Sequence, residues 1–251
     1  MTRVILSLLA AVLISPAALA QKEGSPTHTA LTFYQALRQK HYIEGFSKSV
    51  YRDAVKGLSA AELHDLEPDF VSTFSEIPDK IEARGEQVTG DTATVLLKFG
   101  ASDAIQNVTL VKIKGEWLVG DKESLELVKA QGTNFFFNAR IEVNESEVVD
   151  SLVRMIGAEF VYQKRFEGRC GSLAELIDHG ALSRDLADGQ MSGYQFTFNV
   201  AGDQKSFNVT ATPIGYGRTG RLSFYADANG IRAEDAKGKT ATEKSPVYHK
   251  T

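Results

Sequence analysis

The chain has 251 residues, with 28 Lys and Arg against 32 Asp and Glu, and one cysteine. This mildly acidic balance excludes a nucleic-acid binder built on a domain-wide basic face, and one cysteine excludes an intrachain disulfide. At 43 % hydrophobic residues the fold must be held by burial, and the length suffices for two modest cores.

Arg3, the apolar run from Val4 to Ile14 and the small-x-small triplet Ala18-Leu19-Ala20 predict an export signal over residues 1–20, cut ahead of Gln21. The mature protein is then expected in the periplasm or outside the cell. The only cysteine, Cys170, lies far from that cut, which argues against a lipoprotein. Gly45-Phe46 lacks the following acidic residue and long apolar run of a prepilin cleavage site. No later stretch is apolar for long enough to span a bilayer, so no stable span is expected after signal removal.

Residues 25–125 read as helices followed by antiparallel strands, an α+β unit. Ser25-Pro26 opens a helix whose stripe is Leu31, Phe33, Tyr34 and Leu37. A short segment with Tyr42, Phe46, Val50 and Tyr51 follows. Ser59-Ala60-Ala61-Glu62 is a capping box for a helix expected to stop at Pro68. Asp91 to Phe99, Val108 to Ile113 and Glu116 to Val119 read as strands.

The helix Phe33-Tyr34-x-Ala36-Leu37, the strand Gly90-Asp91-x-Ala93-x-Val95 and the hairpin Lys112 to Val119 resemble the nuclear-transport-factor-2-like, or cystatin-like, α+β roll. That superfamily includes isomerases, dehydratases, ligand binders and assembly modules. The resemblance implies an apolar pocket between helices and sheet, for which Tyr34, Phe74, Phe99 and Trp117 are the candidate ligand-binding residues. Asp65, Asp69 and His64 are available by type for catalysis, but they sit beside Glu62 and Glu67 on a polar helix face. No catalytic residue is assigned.

Residues 126–143 read as a connector. Leu125 to Lys129 continues as a short helix that Gly132 ends. Phe135, Phe136 and Phe137, with Ile141 and Val143 in alternation, predict an extended stretch. The three phenylalanines are expected to be shared between the domains or to start the second core, and are candidates for an interaction patch if exposed.

Residues 144–248 form the second expected domain. Asn144 and Glu147 read as a capping box. The helix beyond carries Val148, Leu152, Met155, Ile156 and Phe160 on one face, widened by Val149, Val153 and Tyr162. Ser172-Leu173-Ala174-Glu175 caps a short helix that Gly180 stops. Tyr194 to Val200 and Phe207 to Ala211 alternate as strands with one wet face. Leu222 and Phe224 begin a last hairpin, whose Asn229-Gly230 turn predicts type I′ geometry. The tail from Lys237 to Lys244 reads as polar and mobile.

Ala158-Glu159-x-x-Tyr162, Cys170-Gly171-Ser172-Leu173, Ser192-Gly193-Tyr194-x-Phe196, Thr210-Ala211-Thr212-Pro213 and Gly220-Arg221-x-Ser223-Phe224-Tyr225 together resemble the head domain of bacterial type IV pilins and pseudopilins. The resemblance implies a sheet on a helical spine used as an assembly surface. The polymerising half-helix of that family is missing.

Gly215 to Gly220 matches G-x-G-x-x-G, but a strand follows it where a dinucleotide site needs a helix, so it reads as a hairpin loop. Cys170 reads as a buried, inert thiol. The five histidines have no metal-pair spacing, and Asp227, Asn229 and Asp235 depart from the EF-hand pattern. No metal or cofactor is expected. The leading reading is a non-enzymatic exported binding or assembly module with protein partners in the envelope or outside the cell, related to pilus or type II secretion-like systems. The alternatives are a carrier of small apolar ligands in the front roll and an enzyme of the roll superfamily.

Overall fold

The computed structural model describes residues 23–102 and 104–249. The predicted export signal, residues 1–20, lies outside them. The architecture is α+β, with two antiparallel sheets and two compact units that meet in the chain at Phe135–Phe136. Among the described residues, no helix is long and apolar enough to cross a membrane.

The first unit begins with α1 (Pro26–Arg38), α2 (Tyr42–Ser47), α3 (Arg52–Lys56) and α4 (Ala60–Phe74). The Ser25 hydroxyl accepts from the His28 N–H at 3.1 Å, with Pro26 at the first helical position. Both halves of the Ser59–Glu62 capping box are made. Pro68 does not end α4, which continues to Phe74. The missing N–H leaves the His64 carbonyl without its usual donor. Burial of Leu66 and Phe70 on either side holds the helix together across it.

The sheet of this unit is a meander in chain order: β1 (Ile81–Thr89), β2 (Thr92–Phe99), β3 (Ile105–Ile113) and β4 (Glu116–Val119). On β2, Ala93, Val95 and Leu97 point inward, as alternation predicts. β1 has no counterpart in the sequence reading. It is an edge strand carrying Glu82, Arg84 and Glu86, with a register shift between Ala83 and Gly85. Glu86 is held by buried Thr27, whose backbone N–H and hydroxyl donate to its Oε2 at 2.9 and 2.6 Å.

After α5 (Lys122–Gln131), a 3-10 turn over Gly132–Asn134 leads into α6 (Phe135–Arg165), a helix of 31 residues. This corrects two expectations. Residues 135–143 are helical rather than extended, and Asn144 lies inside the helix instead of capping it. Alternation at Phe135, Phe137, Ile141 and Val143 fits a strand. The buried set Phe137, Ile141, Val148, Leu152, Met155 and Tyr162 has helical spacing and sets the outcome. Asn144 and its neighbours instead tie α6 to the loop over 215–222. The Asn144 amide donates to the Thr219 carbonyl at 2.9 Å, and Glu145 Oε1 accepts from the N–H groups of Arg221 and Leu222 at 2.8 and 2.9 Å. Phe160 and Val153, expected on the core face, are 46 % and 56 % exposed. They sit off the Leu152–Met155–Tyr162 line that faces the sheet.

The second sheet is again a meander in chain order: β5 (Gln190–Met191), β6 (Tyr194–Val200), β7 (Phe207–Pro213), β8 (Ser223–Asp227) and β9 (Gly230–Glu234). Tyr194, Phe196, Phe207, Val209, Ala211 and Phe224 pack against α6 in one core, which also takes Cys170 and Leu176. Leu176 belongs to α7 (Leu173–Asp178), whose Ser172–Glu175 capping box is complete. Gly180, at φ 69°, follows it in the left-handed region.

The last hairpin is not type I′. Asp227 pairs with Gly230, so Ala228 and Asn229 form the loop, and of the three only Gly230 has positive φ. Type I′ needs positive φ at both loop residues. The tail is also corrected from mobile to packed. The Ala233 N–H donates to the Pro246 carbonyl at 2.9 Å, Arg232 bridges Val247, and Ala241 is buried.

Candidate functional site

The proposed roll pocket does not assemble from its four aromatics. Tyr34 and Phe99 meet edge to face with ring centres 5.0 Å apart. Phe74 lies elsewhere, against Tyr42 and Phe46. Trp117, 9 % exposed, stands in the wall of a separate polar cleft with the Lys112 ammonium 5.5 Å from its ring centre. Burial raises the Tyr34 phenol above its ordinary range.

The candidate interaction patch is not exposed either. Phe137 is buried at 1 % exposure, with the Arg218 guanidinium 3.9 Å from its ring centre and that of Arg140 at 5.5 Å. Phe135 is half-buried and packs on Tyr51 with ring centres 5.3 Å apart. Phe136 is half-buried as well.

The structure forms instead a groove between α2 and α4. Its floor is built by local sequence. Gly45 lets α2 close onto α1, because a Cβ there would lie 2.7 Å from Leu37 Cδ2. That approach sets Tyr42 and Phe46 against Phe70 of α4, with ring centres 5.2 and 5.1 Å apart. Above Tyr42 and Phe70, with Leu63 and Ile43, opens a trough of 720 Å³. Ile43 is 55 % exposed within it, an arrangement that leaves apolar surface wet.

The rim is polar. His41 Nδ1 lies 3.6 Å from Glu44 Oε2 on α2, and His64 Nδ1 lies 3.5 Å from Glu67 Oε2 on α4. Lys40 also lines the groove. Burial, and secondarily the charge of Glu67, raises the Tyr42 phenol. The repeated His-x-x-Glu spacing was the sequence signal for this rim. His64 is the only one of the three residues considered for catalysis that lines the groove. Its side chain is 88 % exposed, which is not the desolvated setting that tunes a general acid or base.

In the second unit, polar groups gather where α7 meets α6. Arg169 Nη2 donates to the Tyr162 hydroxyl at 2.5 Å and to Glu175 Oε1 at 3.1 Å, and Tyr162 donates to the same oxygen at 3.1 Å. Bonds from the Ser172 backbone and hydroxyl hold the Glu175 carboxyl down to about 2. Beside it Glu159 is fully buried, with Oε2 accepting from the Gly171 N–H at 3.2 Å and Oε1 without a hydrogen-bond partner among the described residues. Burial raises its carboxyl. The adjacent Cys170 is also fully buried, its sulfur accepting from Gln163 Nε2 at 3.3 Å. Burial and the charge of Glu159 push the thiol up. Tyr162, Glu159 and Cys170 are packed within the core, while Arg169 and Glu175 lie at its partly exposed edge.

The loop over 215–220 is bound to itself. The N–H groups of Arg218 and Thr219 donate to the Gly215 carbonyl at 2.9 and 2.8 Å, and that of Gly217 to the Gly220 carbonyl at 2.8 Å. Donors spent in this way do not cradle a phosphate. Asp227 and Asp235 are likewise engaged, with Asn229 and with Lys237 and Tyr216. Among the described residues, no three His, Cys, Asp or Glu side chains gather as a metal site would require.

No family model, curated protein or solved structure matches this chain. Function is therefore read from the side chains themselves, and the groove between α2 and α4 offers the largest open apolar surface described above.

Proposed function

We propose that the protein is an exported, non-enzymatic binding module. Its first unit receives an amphipathic segment of a protein partner in the groove between α2 and α4. One observation carries this: a trough of 720 Å³ whose floor includes exposed Ile43 beside Leu63, Tyr42 and Phe70. An open trough suits a chain segment, whereas a carrier of small apolar molecules encloses its ligand. Each apolar side chain buried there contributes about 1.5–3 kcal/mol before association costs. Glu44 and Glu67 on the two banks favour a segment with basic flanks over an acidic one.

Assembly in the envelope is supported by two further features. The sequence Arg3 to Ala20 has the form of an export signal. The second unit sets a long helix against an antiparallel meander, the arrangement that supports its likeness to pilin heads.

The test uses two designed helical peptides, one of Leu and Lys and one of Leu and Glu, titrated calorimetrically into the mature protein. Binding of the Leu-Lys peptide should be tighter, and Ile43→Glu and Leu63→Glu should each weaken it about tenfold or more. Equal binding by the variants, or no binding of the Leu-Lys peptide, removes the reading. Sequencing of the exported protein should begin at Gln21, and finding residues 1–20 intact would refute export by this signal.

A further inference from the structure

The first unit holds a second opening, separate from the groove and of opposite character. It is a cleft of 340 Å³ between the start of α1, the end of α2 and the β3–β4 hairpin. Its walls include Thr32 and Trp117, and four ionisable side chains line it: Glu23, His28, Lys48 and Glu116, the last of which is taken up by Arg52. Among the described residues the side chains of Glu23, His28 and Lys48 have no hydrogen-bond or ion-pair partner. Their neighbours are engaged: Glu116 pairs with Arg52 at 3.0 Å, and the Ser47 hydroxyl donates to the Glu44 carbonyl at 2.6 Å.

The frame is rigid where it bears the cation. The Lys48 carbonyl accepts from the Val119 N–H at 2.9 Å, and the Val50 N–H donates to the Val119 carbonyl at 2.9 Å. Lys48 is thereby fixed to β4, next to Trp117. At the other side the Ser25 cap and Pro26 fix the entry to α1 behind Glu23. A cation and an anion, neither with a partner among the described residues, thus line one small cleft together with Trp117.

We propose that this cleft binds a small zwitterion, a free amino acid or dipeptide, with its carboxylate on Lys48 and its ammonium on Glu23. His28 and Thr32 supply further hydrogen bonds, and Trp117 packs on the aliphatic part. The size agrees, because 340 Å³ lies at the lower end of small-molecule sites. A ligand with one charge would leave the other ionic side chain unmatched in the partly enclosed cleft, which makes the pair of charges selective.

Trp117 is the only tryptophan in the chain, so its fluorescence reports this cleft without interference. L-alanine, L-glutamate and L-alanyl-L-alanine are titrated into the mature protein to about 10 mM, a range that captures millimolar affinities. Their N-acetyl and C-amide analogues are run beside them. A saturable fluorescence change is expected for at least one zwitterion, weakened about tenfold or more by Lys48→Ala, by Glu23→Gln and by either analogue. Both substituted residues are exposed, and unchanged thermal unfolding of the variants verifies that folding is intact. No saturable change with any zwitterion, equal affinity for the blocked analogues, or unaltered binding by the two variants overturns the proposal. Ile43→Glu, which removes the groove, should leave this titration unchanged, so the two sites stand or fall separately.

Discussion

The Tyr194 ring occupies the space where Gly220 would carry a side chain: a Cβ there would lie 1.9 Å from the tyrosine oxygen and 2.3 Å from Cζ. The hydroxyl donates to the Leu222 carbonyl at 2.8 Å, and the ring is fully buried. Neither partner has room to yield. Gly220→Ala should cost about 3 kcal/mol, at the upper end of the usual range for overpacking a fixed core. Gly157, within α6 and with nothing near its missing Cβ, is the matched control. Gly157→Ala should gain about 0.5–1 kcal/mol by removing a flexible residue from a helix interior. Urea unfolding of both variants measures the contrast, and equal effects would contradict the packing described.

Glu159 predicts a pH dependence. Burial raises its carboxyl in the folded state, opposed by the Gly171 N–H and reinforced by the charge of Glu175. The folded protein therefore binds this proton more tightly than the unfolded chain does. The associated stability is fully present below the unfolded carboxylate value, about 4.3, and is lost as pH rises through the folded value. Glu159→Gln keeps the shape and removes the ionisation. It should be more stable than the parent by about 1 kcal/mol at neutral pH and level with it at pH near 4. Parallel unfolding curves at both pH values would refute an ionisable penalty.

Glu175 works in the opposite sense. Its carboxyl is held at about 2 by the Ser172 backbone and side chain, with Tyr162 and Arg169 adding to them. The stability it carries is present above the unfolded carboxylate value and lost as pH falls through about 2. Ser172→Ala should cost about 1 kcal/mol at neutral pH. It should also shift the acid limb of the stability profile upward, and an acid limb identical to the parent would count against the cap.

Cys170 should be silent in the native protein. Its thiol is fully buried and its pKa is raised by burial and by Glu159. Labelling by an aromatic disulfide reagent should track unfolding rather than precede it. Cys170→Ser should fold, losing about 1 kcal/mol, because a hydroxyl can accept from Gln163 as the sulfur does. Fast labelling under native conditions would place the thiol at the surface.

What the sequence revealed about the fold was local. The boxes Ser59–Glu62 and Ser172–Glu175, the stop at Gly180 and the alternation along β6 and β7 each depend on residues a few positions apart. The start of α6 was hidden because Phe135, Phe137, Ile141 and Val143 satisfy both periods, and tertiary burial of Phe137 and Ile141 decided between them. β1 was hidden because an edge strand can carry Glu82 and Glu86 without an apolar stripe. The groove joins Tyr42 to Leu63 and Phe70, residues from separate helices whose meeting depends on Gly45. The zwitterion cleft joins Glu23 to Lys48 and Trp117, and no spacing rule connects those three.

Both sheets preserve the order of the chain, so every strand finds its partner in the strand made just before it. The closures from strand to neighbouring strand are therefore short, and each costs little chain entropy. In the second unit, α6 precedes all five strands that rest on it. A polypeptide threaded end-first through a narrow passage would thus meet its template before the segments that need one, and could add hairpin upon hairpin without waiting for its C-terminus.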